Sequence, residues 1–330
     1  MSLERSVTRA WYTSSRWLWV LRPLEFVYRG LSKLRRWFLR RRFGGRQYAA
    51  PVIVIGNIAV GGSGKTPLLM ALVMQLRLRG FKPGVVSRGY GGEHRGPPII
   101  VDCEGAAVIY GDEPLLIARH CACPVVVGAN RDHAVRMLLA NFDCNLVLSD
   151  DGLQHYAMPR TVEVAVVDGS RLFGNGYCLP AGPLRESIAR LSTVDFVAIN
   201  GPITDSAPEI LAGAQAFCLK PVHFINLRSG QKLPVEEWSG TSTVHAVAAI
   251  GAPERFAATL ESLGLDVILH PYADHAALTL DALRFQDDLD VIITAKDAVK
   301  LSSRYHLDIW CLEVVATFDE AFVDRLVARL

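Results

Sequence analysis

The segment from Val52 to Val73 restricts this chain more than any other. An apolar run, Val52-Ile53-Val54-Ile55-Gly56-Asn57-Ile58, leads into Ala59-Val60-Gly61-Gly62-Ser63-Gly64-Lys65-Thr66 and then Pro67-Leu68-Leu69-Met70-Ala71-Leu72-Val73. That order is buried strand, glycine-rich turn, helix. Such a turn aims backbone N–H groups at phosphates from a helix N-terminus; its Lys neutralises the β- and γ-phosphates and its Thr hydroxyl serves Mg²⁺. The strict P-loop pattern opens on Gly, and Ala59 stands there instead. Pro67 falls in the first helical turn, where a missing N–H costs little. Residues 59–66 therefore read as a nucleotide-phosphate cradle; the bland alternative is a glycine-rich turn with a chance Lys-Thr.

With 330 residues, half of them hydrophobic, the chain has material for one large or two ordinary domains. A net charge of +2 points to no partner, but its distribution does. Between residues 8 and 43, Trp11, Trp17, Trp19, Phe26, Leu31, Leu34, Trp37 and Phe38 alternate with Arg16, Arg22, Arg29, Arg35, Arg36 and Arg40–Arg42. Pro23 is expected to divide this stretch into two helices. A basic, aromatic-rich amphipathic helix suits the headgroup boundary of an anionic membrane. The alternatives are a helix packed on the body with solvated arginines, or a nucleic-acid patch. The latter is disfavoured because the aromatics exceed what a phosphate-tracking helix needs. No apolar stretch reaches 18 residues and arginines interrupt the N-terminus, so neither a spanning helix nor a secretory signal is expected. Seven cysteines without a CxxC pair read as reduced thiols of a cytoplasmic protein; Cys121 and Cys123 lack partners at zinc spacing.

From Tyr48 to Asn200 strands and helices alternate. Strands are expected at Val52–Ile58, Gly84–Ser87, Pro98–Val101, Pro124–Val127, Leu146–Ser149, Val162–Val167 and Phe196–Ile199, with helices near Leu68–Arg79, Pro114–His120 and Arg131–Asn141. Continuous apolar strands separated by helices predict an α/β fold, a mostly parallel sheet covered on both faces, with ligands at the carboxyl ends of the strands. The polar residues following each strand are thus the candidates. Ser87-Arg88-Gly89-Tyr90-Gly91-Gly92 is a glycine-rich loop able to clamp an anion or sugar. Asp112 and Glu113 precede a helix, where Asp112 also reads as an N-cap. Asp150 and Asp151 end an apolar strand as a Mg²⁺-holding carboxylate does in P-loop proteins. His155 reaches the same rim. The Gly/Pro-dense stretch 168–186 is too long for a connector and carries Arg185, a candidate anion ligand.

Beyond, residues 203–217 read as helical and Pro221–Ser239 as a hairpin connector. A smaller α/β unit follows: strand Thr243–Ile250, helix Pro253–Leu263, strand Val267–His270, helix Leu278–Gln286, strand Val291–Thr294, and a closing helix over Phe318–Leu330. Asp274-His275 lies in a loop of this unit, as a cap or as a base with its partner. The organisation expected is an N-terminal amphipathic segment (1–46), a P-loop core (47–217) and a second α/β domain (218–330).

Taken in order, Val60–Pro67, Ser87–Gly91, Gly111-Asp112-Glu113-Pro114, Asp150-Asp151-Gly152-Leu153-Gln154-His155, Leu179–Glu186, Asp274-His275 and Thr294–Lys300 resemble the tetraacyldisaccharide 4′-kinase family, the lipid A 4′-kinases of Gram-negative bacteria. The likeness covers nearly the whole chain. The family often has Thr where Ser63 stands and Glu where Ala295 stands. The resemblance implies ATP-dependent phosphorylation of the 4′-hydroxyl of an acylated glucosamine disaccharide 1-phosphate, on the cytoplasmic face of the inner membrane. Neither nucleic acid nor an obligate protein partner is implied. It makes Asp112 and His275 the acid–base pair and binds ATP on Ala59, Val60, Gly61, Gly62, Ser63, Gly64, Lys65 and Thr66. It puts Mg²⁺ on Thr66, Asp150 or Asp151, and Glu113, and includes Lys65, Asp150, Asp151 and His155 in the catalytic set. Arg88, Tyr90, Gln154 and Arg185 then line the substrate rim. Two rivals are a membrane-associated partitioning ATPase, whose signature Lys is replaced here by Val60, and a nucleic-acid-binding ATPase.

Overall fold

The computed structural model describes residues 3–13, 15–43, 45–202, 208–301 and 308–330. The N-terminal segment is helix α1 (Leu3–Trp11), a 3₁₀ turn (Arg16–Leu21) and α2 (Arg22–Phe43). Pro23 thus sits in the first turn of α2, where its ring is tolerated. Next come β1 (Val52–Gly56), α3 (Lys65–Leu78), β2 (Pro83–Ser87), β3 (Ile99–Ile100), α4 (Ala107–Tyr110), α5 (Asp112–Cys121), β4 (Val125–Val127), α6 (Arg131–Asn141), β5 (Leu146–Ser149), β6 (Val162–Asp168) and β7 (Phe196–Asn200). The remainder is β8 (Gln215–Asn226), β9 (Lys232–Pro234), β10 (Thr243–Ala248), α7 (Pro253–Ser262), β11 (Asp266–Pro271), β12 (Asp290–Thr294), the single turn α8 (Ala295–Ala298), β13 (Ile309–Phe318) and α9 (Glu320–Val327).

One sheet runs β11-β10-β12-β13-β8-β7-β6-β1-β5-β2-β4-β3, with β9 paired to β8. Strands β8 to β4 are parallel, as are β11 to β13, and the two sets join where β8 meets β13 antiparallel from Phe217↔Phe318 to Asn226↔Trp310. Position 217/218 therefore falls inside a strand shared by both halves. Every residue of β1, β2, β4, β5 and β6 is buried, which is why these strands read as unbroken apolar runs rather than alternations. Helices α3 and α5 cover one face with Leu68, Leu69, Leu72, Leu115 and Ile117; α6 covers the other with Ala134, Val135 and Leu138.

Three sequence expectations need correction. The helix expected over 203–217 is not formed in the described part: residues 203–207 lie outside it, Glu209–Leu211 is one 3₁₀ turn, and β8 starts at Gln215. Phe217 is buried between exposed Ala216 and Cys218, the period-two signature of a strand. The helix expected at Leu278–Gln286 shrinks to a 3₁₀ turn, Asp281–Leu283, because Leu278 and Leu283 turn inward against β10 and β12 while Phe285 stacks on His245. Gly111, not Asp112, holds the N-cap position of α5; Asp112 is its first helical residue.

Helix α2 is amphipathic in an inverted sense. Some of its charged residues face the body: buried Glu25 accepts from the Cys178 N–H (3.3 Å), Arg36 approaches Glu186 (3.9 Å) and Arg40 approaches Glu163 (3.7 Å), while Lys33, Arg35, Arg41 and Arg42 are exposed. Leu24, Phe26, Val27, Leu31, Leu34, Trp37 and Phe38 face outward, each more than half exposed. A helix of a water-bathed domain buries the opposite side.

Candidate active site

The cradle is built at the carboxyl end of β1. Gly64 caps α3 with φ +85°, and a Cβ there would meet the Asn200 amide nitrogen at 2.6 Å, so the position admits only glycine without displacement. Asn200, at the end of β7, donates to the Ser63 carbonyl (3.3 Å); Asn57, following β1, donates to the Gly61 carbonyl (3.3 Å). The loop is thus braced from two strand ends. The Gly/Pro-dense stretch braces it from outside: Val60 N–H donates to the Pro183 carbonyl (2.8 Å), Ala59 bridges Leu184, and Arg185 N–H donates to the Ile58 carbonyl (2.7 Å). Lys65 and Thr66 open α3 with Thr66 buried.

Asp150 and Asp151, expected as a pair, stand in different environments. Asp150 is buried; its Oδ2 accepts from the Ser87 hydroxyl (3.0 Å), while Oδ1 has no hydrogen-bond partner among the described residues. Burial, with Glu113 and Asp151 nearby, pushes its carboxyl up. Asp151, with φ +45°, faces cations on both oxygens: Lys65 at 3.8 Å on Oδ1 and Arg185 at 2.9 Å on Oδ2. Desolvation acts against its charge, yet Lys65 and Arg185 hold it below the usual carboxylate range.

Asp112 and His275, 163 residues apart, meet across the cleft with Oδ2 and Nδ1 3.0 Å apart. Asp112 reaches this point because Gly111, at φ +91°, lets the α5 N-terminus press on the Arg88–Gly92 loop; a Cβ on Gly111 would lie 2.5 Å from the Tyr90 carbonyl. His275 sits after β11 in the left-handed region, φ +61°, its N–H donating to the Ala249 carbonyl (3.3 Å). Tyr90 packs edge-on against its ring, centroids 5.1 Å apart. Lys296 lies against His275, Asp274 and Glu113; Lys300 ties fully buried Asp297 (2.8 Å) to the Ala249 and Ala276 carbonyls (3.2 Å each). Tyr90, Glu113, Asp274, His275 and Lys296 line one cleft of about 1400 Å³ that also takes in the cradle, Arg88, Gln154, His155 and Arg185, and buried Asp112 adjoins it through His275.

The remaining expected residues divide by what they touch. Gln154 commits its amide nitrogen to the Asn57 carbonyl and Glu186, both at 3.0 Å, so it braces the cradle. Arg185 is paired with Asp151. His155 has a buried Nε2 without a partner among the described residues, and burial, with Arg131, Arg160, Arg35 and Arg88 around it, pushes it down to about 4. It is a neutral ring at ordinary pH. From sequence Lys296 and Lys300 enter only as members of the Thr294–Lys300 motif, without a role, and Asn57 and Asn200 carry none, although both asparagines end apolar strands, where the rule for parallel sheets places ligands.

These parts gather a glycine-rich loop, the imidazole of the Asp112–His275 pair and the buried Asp150 carboxylate, with its unpartnered oxygen, around one cleft. Residues 17–330 match the profile of the family described as LpxK, tetraacyldisaccharide-1-P 4′-kinase. The tetraacyldisaccharide 4′-kinase of Hahella chejuensis is 43 % identical over 330 residues, covering 98 % of this chain and 96 % of its own. That of Pseudomonas aeruginosa strain LESB58 is 43 % identical over 331 residues, covering 100 % and 98 %. The fold superposes on the crystal structure of LpxK from Aquifex aeolicus in complex with ATP, with a TM-score of 0.75, 23 % identity, and coverage of 94 % of this chain and 98 % of that one. The chain belongs to the tetraacyldisaccharide 4′-kinase family, the ATP-dependent kinases of lipid A biosynthesis.

Proposed function

We propose that the chain moves the γ-phosphoryl group of ATP to the 4′-hydroxyl of a tetraacyl glucosamine disaccharide 1-phosphate, with Asp112 as the base, at a membrane surface. The observation that carries the reading is the 3.0 Å contact between Asp112 and His275, the latter lining the cleft that also holds the cradle. Asp112 takes the hydroxyl proton as that oxygen attacks the γ-phosphorus; the bond from the γ-phosphorus to the bridging oxygen breaks and ADP leaves. Lys65 and the loop N–H groups hold the phosphates and meet the charge that gathers on the bridging oxygen. His275 orients Asp112 through Nδ1. Closure of the two halves over ATP, bending at the β8–β13 ladder, is part of the proposal, since it excludes water as a rival acceptor.

Mg²⁺ fits this donor set. Asp150 offers a buried, unpartnered Oδ1 near the α3 N-terminus that carries Thr66, and a cation there would stabilise its ionised form against burial. Among the described residues no three His, Cys, Asp or Glu side chains form a cage, and a P-loop Mg²⁺ needs none, because phosphates and waters complete its shell. The metal, when bound, would neutralise charge on the transferred group; Asp150 and Thr66 would hold it, with Glu113 at the same rim.

A phosphoryl-transfer assay with the lipid disaccharide 1-phosphate in detergent micelles tests the reading. ATP consumption is expected to depend on the acceptor, giving a doubly phosphorylated lipid. Equal consumption without acceptor would instead establish a partitioning-type ATPase.

No helix among the described residues is long and apolar enough to cross a membrane. The outward stripe of α2 suits the interface of an anionic bilayer, with arginines at the phosphates. Replacing Phe26, Leu31 and Trp37 by Ser alters exposed positions, so the fold is expected to persist. Because each large apolar side chain contributes up to about 1.5–3 kcal/mol on burial, association with anionic vesicles should fall by roughly tenfold or more. Co-sedimentation measures this, and undiminished binding would refute the docking role.

A further inference from the structure

We propose that Lys296 is a positioning residue for the Asp112–His275 pair: its ammonium donates to His275 Nε2 and thereby fixes the neutral ring tautomer whose Nδ1–H points at Asp112. The inference deepens the reading of Asp112 as base and rests on it.

Lys296 Nζ stands 3.2 Å from His275 Nε2, 3.3 Å from Asp274 Oδ1 and 3.5 Å from Glu113 Oε1. An ammonium has three donors and no lone pair, so it meets three acceptors here, and the ring nitrogen among them presents a lone pair. An imidazole with its lone pair on Nε2 carries its proton on Nδ1. That nitrogen is the one 3.0 Å from Asp112 Oδ2. The proton therefore lies between ring and carboxylate, Oδ2 is occupied, and the other oxygen of Asp112 is left for the acceptor hydroxyl.

The lysine is held in place. The carboxylates of Asp274 and Glu113 stand at 3.3 and 3.5 Å from its ammonium and fix where it points. Its backbone is set by the turn of α8: Thr294 Oγ1 accepts from the Asp297 N–H (3.2 Å) and donates to Asp297 Oδ2 (2.7 Å). The groups facing the ring are Asp112, Asp274, Lys296 and Tyr90, with Lys300 behind Asp112 at 3.7 Å. The ring also hangs from a residue in the left-handed region, a conformation that surrounding structure must maintain.

The test is a long-range ¹H–¹⁵N correlation spectrum of the full-length protein with ¹⁵N-labelled histidine, in micelles at neutral pH, with His275 assigned by its absence in His275→Ala. The wild type is expected to show His275 as the Nδ1–H tautomer, and Lys296→Met to lose that signature. In the same variant kcat is expected to fall about 10- to 100-fold, with the KM for ATP within a factor of two, because the base is misdirected while the cradle is untouched. An Nε2–H signature in the wild type, a spectrum unchanged in Lys296→Met, or a kcat unchanged in that variant overturns the proposal. The wild-type measurement needs no variant to fold. Should Asp112 not be the base, Asp112→Asn would keep its turnover while the tautomer signal still reports on Lys296, so the two readings fail separately.

Discussion

Asp112→Asn is expected to lower kcat by about a thousandfold, with little change in the KM for ATP, since general-base catalysis contributes roughly 10²–10⁴. The substitution keeps shape and size at the start of α5, so the helix end and its contact with the Arg88–Gly92 loop survive. What disappears is the capacity to take a proton. An amide oxygen still accepts from His275 Nδ1, so the ring stays in place and the loss isolates proton transfer. Lys300, 3.7 Å away, keeps its stronger partner in Asp297 at 2.8 Å, and stability changes little. Single-turnover phosphorylation of the lipid disaccharide measures the effect; turnover within tenfold of wild type would remove Asp112 from the base position.

The second large effect belongs to Lys65→Ala. Its ammonium lies 3.8 Å from Asp151 at the α3 N-terminus, where the γ-phosphate of a cradled nucleotide would sit. Removing it takes a positive charge from the group whose charge redistributes during transfer, and kcat/KM should fall by about 10²–10³ or more. Asp151 then loses one of its paired cations and keeps Arg185, so its carboxylate also repels the phosphates. Ser63→Thr is the matched control: it retains the hydroxyl near the Asn57 amide (3.4 Å) and adds one methyl in a loop that carries no charge there. Activity within a few-fold of wild type is expected for Ser63→Thr. Comparable losses in the two variants would contradict the assignment of Lys65.

How much of this was legible in the sequence depended on the range of each interaction. The β1–loop–α3 unit is local: a buried strand, four residues of turn chemistry and a helix follow one another, and each announces itself. The carboxylates after β5 were legible for the same reason. The Asp112–His275 contact was not a matter of spacing; it arises from the ladder between β8 and β13, and only the family resemblance foretold it. Those two strands were also the hardest to read. Gln215–Asn226 lies at the junction of two parallel sets with mixed burial along its length, so its start reads as the end of a helix over 203–217 and its second half as part of a hairpin connector over Pro221–Ser239. Asn57 and Asn200 passed unnoticed because asparagines after strands are usually turn formers; here their amides tie down the phosphate loop. The apolar stripe of α2 is visible at once, but not that Glu25, Arg36 and Arg40 turn toward the body.

The placement of α9 bears on how the enzyme is made. Phe322, Val323 and Leu326 are wholly buried in the same cluster as Leu68, Leu69 and Leu72, so this C-terminal helix completes the packing beneath the phosphate cradle. During vectorial synthesis the ribosome releases α3 some 250 residues before α9, a distance at which emergence is separated by about 12–50 s at ordinary elongation rates. Through that interval the nascent cradle has an open apolar flank, which α9 then closes.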